Sequence, residues 1–176
     1  MKKLIAILMA VALVLCLTAC GNDEAANNNN PANNTDTNTD KGPAQDSFSF
    51  TYNGTKIALH APAAPIVEAL GEYLDYSEST SCAFDGLDKT YTYSSFGFST
   101  YPIGGKDHIS SIWFLDDMVK TDEGIEIGSS LAAVQAAFSS AENNNGTFTV
   151  TKGHGKLQIK LEDDVVKDIL FSATFD

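Results

Sequence analysis

Three thiols, three imidazoles and two short acidic clusters are the side chains in this sequence best suited to covalent or metal chemistry. Cys82 sits in Ser81-Cys82-Ala83-Phe84. A thiol becomes a nucleophile only as thiolate, which needs a partnering base. The imidazoles are His60, His108 and His154, and none is near Cys82 in sequence. The reading preferred here is a small buried hydrophobe on a strand, with a Cys/His enzyme as the least favoured alternative. The acidic clusters are Leu115-Asp116-Asp117 and Leu161-Glu162-Asp163-Asp164, and both fit strand-end turns. Calcium would require more oxygen ligands at loop spacing than either offers. His154 lies between Gly153 and Gly155, which suits a solvated hairpin loop. The chain has no CxxC, HExxH or GxSxG, and no glycine string of the Walker or dinucleotide type. The residues therefore define no reaction class, and the expectation is a protein that is not an enzyme, with no cofactor and no metal.

The other two thiols belong to the amino terminus. After Met1-Lys2-Lys3 the chain is uncharged from Leu4 to Ala19, 16 residues. That is short of the roughly 20 a membrane-crossing helix needs. A basic start, a short apolar run and small residues before a break describe a secretory signal. Cys16 follows the bulky Leu15, whereas Cys20 follows Leu17-Thr18-Ala19. The second arrangement resembles the bacterial lipobox, in which the thiol takes a diacylglyceryl group and becomes the new amino terminus. Residues 1–19 then read as a lipoprotein signal peptide and Cys20 as the lipidation site. The alternative is an ordinary secretory signal with an incidental cysteine. Each buried methylene contributes ~0.8 kcal/mol and one acyl chain holds only marginally. Two or three chains of the palmitate class on Cys20 would hold the protein to the extracytoplasmic face of the cell membrane.

Residues 20–46 continue as Asn, Thr and Asp runs, and Gly21 to Asp46 contains no aromatic residue, Leu, Ile, Val or Met. Such a composition predicts a disordered tether, with an r.m.s. reach of roughly 30 Å as a flexible coil. The functional alternative, a polar recognition segment, has no motif behind it. All basic residues are Lys, and the formal charge is −12. Loss of Lys2 and Lys3 with the signal would bring it two units lower, to −14. That charge disfavours nucleic acid and adsorption to anionic lipid. It serves solubility in preference to cation binding.

Ser47 to Asp176 carries the apolar residues of a folded part. Phe48, Phe50 and Tyr52 alternate, Asn53-Gly54 interrupts, and Ile57 and Leu59 follow. Asn-Gly between alternating runs predicts a two-residue hairpin pairing Tyr52 with Thr55, Phe50 with Ile57 and Phe48 with Leu59. Ile66, Leu70 and Tyr73 recur at helical spacing behind Pro62 and Pro65. In "TYTYSSFGFSTYP" a turn at Ser94-Ser95 would pair Tyr93 with Phe96 and Tyr91 with Phe98, placing four rings on one face, with a bulge as the alternative. "HISSIWFLDD" is the next strand, after Gly104-Gly105.

The second half repeats the order. "GIEIGSSLAAVQAAF" echoes "KIALHAPAAPIVEAL", with Ser129 as N-cap; "TFTV" echoes "TYTY", and "VVKDILF" echoes "HISSIWF". Repeated order implies duplication, with units at 47–118 and 119–176. The expected fold class is α+β: two tandem helix-plus-antiparallel-sheet repeats forming one continuous sheet with helices on one face. Through "EGIEIGSSLAAVQAAF" this layout resembles the β-lactamase inhibitor protein fold and the small SmpA/OmlA lipoproteins, an outer-membrane assembly accessory group. It is also similar to lipoproteins of low-GC Gram-positive bacteria. The inhibitor resemblance implies an aromatic sheet face that clasps a protein, drawn here from the strands of Tyr91, Tyr93, Tyr101 and Trp113. It departs from that family in one respect: the inhibitor's units carry disulfides, which Cys82 alone cannot supply.

Alternation sets Phe96 and Phe98, with Tyr91 and Tyr93, in the core, and Tyr101 and Trp113 on the opposite face if their strands alternate strictly. Trp113 lies between Ile112 and Phe114, so both faces of its strand carry bulk. That is the strongest local hint of a binding surface. The preferred function is a non-catalytic, membrane-anchored module binding a protein or cell-envelope partner; the alternative is an envelope-assembly accessory lipoprotein.

Overall fold

A computed structural model describes residues 47–175. The expected lipidation site Cys20, signal segment and tether all lie outside the described residues. The described chain forms part of one compact unit. None of its helices is long and apolar enough to cross a membrane.

The described residues open with β1 (Ser49–Tyr52) and β2 (Thr55–Ala58), then α1 (Ala63–Leu70). Four strands follow: β3 (Asp75–Thr80), β4 (Leu87–Thr92), β5 (Phe96–Ile103) and β6 (Lys106–Phe114). After α2 (Leu131–Ala137) come β7 (Glu142–Asn144), β8 (Thr147–Lys152), β9 (Gly155–Glu162) and β10 (Val165–Ala173). β1 and β2 form their own two-stranded sheet; the other eight form one sheet in the order β3-β4-β5-β6-β10-β9-β8-β7. Every pairing in it is antiparallel.

This corrects the expected α+β class and its two equivalent helix-plus-sheet repeats. The fold is mostly β, with 50% of the described residues in strand and 12% in helix. The helices span only 8 and 7 residues. In the first, Gly71 ends the helix at φ +75, leaving Tyr73 beyond it. Ile125 and Ile127, the expected counterparts of Ile57 and Leu59, lie outside any strand, so the second half has no hairpin matching β1–β2. The strand echoes in sequence reflect period-two alternation between short turns, which any antiparallel meander shares, and the remaining echo falls on the two short helices. Ser130, not Ser129, caps α2 by accepting from the Ala133 N–H, and the Ser129 hydroxyl instead accepts from Glu126 N–H.

Local chemistry explains the turns. Asn53 and Gly54 take φ +48 and +80, the left-handed pair that a type I′ hairpin requires. Tyr52 pairs with Thr55 and Phe50 with Ile57, while Leu59 N–H donates to the Phe48 carbonyl at 3.1 Å. Tyr93 N–H donates to the Phe96 carbonyl at 2.8 Å across Ser94-Ser95, and Tyr91 stands opposite Phe98. Asp163 and Asp164 make the β9–β10 turn at φ +51 and +60.

One face of the large sheet is the core. Register aligns Tyr76, Tyr91, Phe98, Ile112, Phe171, Leu157 and Val150 across seven adjacent strands. The β1–β2 hairpin lies on this face: the Phe50 ring is 5.0 Å from both Phe96 and Phe114, and Phe48 is 6.1 Å from Phe171. Ile66 of α1 and Val134 of α2 join the same cluster. Each such large apolar side chain contributes about 1.5–3 kcal/mol on burial, so this layer carries the fold.

Candidate binding face

Alternation sends the remaining strand residues to the opposite face of the sheet. Register aligns them in rows that cross the strands. One row reads Asp75, Thr92, Gly97, Trp113, Leu170, Gln158, Thr149 and Glu142, one residue from each of the eight strands. The neighbouring row reads Ser77, Thr90, Ser99, Ser111, Ser172, Lys156 and Thr151. Between β4 and β10 these two rows contain no charged side chain. Their residues there are part-exposed, apart from Gly97 beneath the indole.

Trp113 occupies the centre. A Cβ placed on Gly97 would come within 2.3 Å of Trp113 Cζ2, 2.5 Å of Cε2 and 2.9 Å of Nε1. The indole therefore rests in the space that any side chain at position 97 would take. Glycine costs a strand stability, and close approach by another group is one reason it is found there. Beside the ring, Thr90 Oγ1 and Ser99 Oγ are hydrogen-bonded at 2.9 Å. Hydroxyls accept and donate more than one bond, so this pair keeps capacity for a ligand.

The four aromatics whose strands the inhibitor resemblance drew on do not form one patch. Trp113 is on the outer face. Tyr91 and Tyr93 are on the core face, 5.2 and 6.0 Å from the Phe98 ring. Burial pushes both phenols above their ordinary pKa. The Tyr93 hydroxyl is buried without a hydrogen-bond partner. Tyr91 continues outward to Tyr76 and Tyr73 at 5.1 and 5.4 Å, making an aromatic ladder at the β3 edge. Tyr76 donates to Glu78 at 2.7 Å, and that bond to a carboxylate holds its proton on more tightly.

Tyr101 shares the alternation of Gly97 and Ser99 but is covered. Phe84 and Phe175 lie 5.0 and 4.8 Å from its ring, and it is only 5% exposed. Its hydroxyl meets His60 Nδ1 at 2.9 Å, while His60 Nε2 bonds to the His154 carbonyl at 2.8 Å. Burial raises its pKa. The β5–β6 register slips between Ser99 and Thr100, where Ser110 is extra on β6. Below that bulge Tyr101 stands opposite His108, whose ring is 5.7 Å away. All three histidines of the chain thus gather at one end of the sheet, and His60 adopts φ +63 to reach its place. His108 Nδ1 is buried without a hydrogen-bond partner. Among the described residues no group of three or more His, Cys, Asp or Glu is arranged to hold a metal ion.

Cys82 also departs from expectation. It is exposed, in the bend between β3 and β4, not buried on a strand. Ser81 organises that bend by accepting from the Phe84 N–H at 3.3 Å. The bend is anchored by Phe84 on Tyr101, which leaves the thiol outside.

Sequence reasoning found Trp113 but not its seat or its neighbours. The signal for the seat was Gly97 between two core phenylalanines, on the strand that a Gly104-Gly105 turn must pair with that of Trp113. The hydroxyl row carries no local signal, because Ser111 and Ser172 meet only through the β6–β10 pairing. No family model matches this chain, and neither a curated protein nor a solved structure does.

Proposed function

We propose that this chain is a lipoprotein anchored through Cys20 on the extracytoplasmic face of the cell membrane. Its domain is a non-catalytic module that binds a protein or envelope polymer across the outer face of the sheet. The observation that carries the binding reading is Trp113, seated on Gly97 at the centre of an otherwise hydroxyl-rich face. An indole is a large amphipathic contact surface, and tryptophan is enriched among the residues that dominate binding energy. The non-catalytic reading is supported by the tying of His60 between Tyr101 and the His154 carbonyl, which leaves its ring occupied. The anchor reading rests on the Leu17-Thr18-Ala19-Cys20 string.

Two experiments test the two halves. In cells fed labelled palmitate, the protein should carry label and stay with the membrane through a detergent-free wash. Cys20→Ser should lose both; label that persists would refute the anchor. For binding, the purified protein should co-sediment with isolated cell envelope, and Trp113→Ala should abolish this without lowering the thermal midpoint. Undiminished sedimentation of that variant would refute the outer face as the site.

A further inference from the structure

We infer that the ligand of the outer face is an uncharged, linear glycan lying across the strands, with one pyranose ring stacked on Trp113. This rests on the outer-face reading above and names its ligand class.

Four observations converge on that class. Gly97 lets the indole settle against the strand, so the ring's other side is offered to solvent. The negative face of an aromatic ring attracts the weakly positive C–H groups that line one side of a pyranose. Next to the ring, Thr90, Ser99, Ser111 and Ser172 form a line of hydroxyls, one per strand. Neighbouring strands are about 4.8 Å apart, close to the length of one sugar in a β-linked chain. Among the described residues, Ser111 and Ser172 have no side-chain hydrogen bond within the protein, and both are part-exposed.

Charge removes the competing ligands. Thr90, Thr92, Ser99, Ser111, Leu170 and Ser172 give the central face no cation to hold a phosphate or carboxylate, and the chain carries −12 overall. A polyanion is repelled at range, and along the hydroxyl row it meets a cation only at Lys156, beyond Ser172 on β9. A protein partner would seek a cluster of apolar anchors in a water-excluding pocket. This face offers one indole and Leu170 among hydroxyls, which suits a ligand that is itself mostly hydroxyl.

Trp113 is the only tryptophan in the chain, so its fluorescence reports this site alone. The experiment titrates the full mature protein with a β-linked hexamer of N-acetylglucosamine. A saturable change in tryptophan emission is expected, matched by calorimetry. Trp113→Ala, followed by calorimetry, should bind at least about tenfold more weakly. Trp113→Phe should retain part of the affinity, and Ser111→Glu should lose it while keeping the indole. Thermal midpoints near the wild-type value establish that the variants are folded. Absence of any hexamer signal, alongside envelope co-sedimentation that still depends on Trp113, overturns the glycan class, leaves the outer-face reading standing and points to a polypeptide ligand. Hexamer binding that ignores both Trp113→Ala and Ser111→Glu overturns the inference as well. Loss of Trp113 dependence in the envelope assay instead overturns the underlying reading.

Discussion

The same strands build two unlike surfaces, and their difference separates stability from function. On one side, Phe96, Phe98, Ile112, Phe114 and Phe171 are all but sealed from water, and Phe96, Phe114 and Phe171 meet Phe50 or Phe48 ring to ring. On the other, Gly97, Ser99, Ser111, Trp113, Leu170 and Ser172 occupy the alternate positions of those same strands. The first face must be close-packed for the chain to fold. The second is under no such demand, since water satisfies its hydroxyls without a partner. A tryptophan on that second side, given a glycine to lie on, is therefore the residue whose placement folding explains least.

Substitutions on the two faces should separate accordingly. Phe171→Ala removes a ring that is 1% exposed and touches both Phe48 and Phe114. It should cost about 3–5 kcal/mol, a large share of a small domain's stability, read by urea denaturation. Gly97→Val acts across the other face. Its side chain must take the space of the indole, so Trp113 should lift away and its emission should shift to the red. Because the displaced group is a side chain and valine suits a strand, stability should move by only about 1 kcal/mol. A loss of several kcal/mol would show that the indole is structural cement after all.

Smaller effects sharpen the boundary between the faces. Lys89 and Asp107 form an ion pair at 2.7 Å, with side chains 27% and 28% exposed. The hydrogen bond to Asp107, opposed by desolvation, raises the Lys89 pKa above its ordinary 10.5. A raised lysine pKa stabilises the fold fully below the unfolded value and loses that contribution as pH climbs through the folded value. Lys89→Met should thus cost up to about 1 kcal/mol at neutral pH. Its difference from wild type should close only at alkaline pH, above 10.5. Tyr93→Phe should be smallest. It deletes a buried hydroxyl that has no partner, so stability should hold or rise by up to about 1 kcal/mol.

How much of this was legible in the sequence follows from the range of each interaction. The hairpin at Asn53-Gly54 was readable because its turn chemistry is local, and so was the four-ring group around Ser94-Ser95. The duplicated helix-plus-sheet layout was a misreading. Alternation and turns recur in both halves, yet Ile125 and Ile127 form no strand to match Ile57 and Leu59. Tyr101 had the alternation of an outward residue, but Phe84, Phe175 and His60 reach it from three distant segments. No window of sequence contains that meeting. Likewise, Trp113 announced itself by sitting between Ile112 and Phe114, whereas Leu170 beside it depends on pairing between strands far apart in the chain.

The most direct test is a comparison of envelope co-sedimentation for wild type, Trp113→Ala and Tyr91→Ala, with thermal midpoints measured in parallel. Tyr91 belongs to the core side, so its truncation should lower the midpoint while the remaining folded protein still binds. Trp113→Ala should change stability by no more than about 1 kcal/mol, leaving the midpoint near wild type, and abolish sedimentation. If Trp113→Ala binds like wild type, or loses binding only because it unfolds, the outer face is not the binding surface.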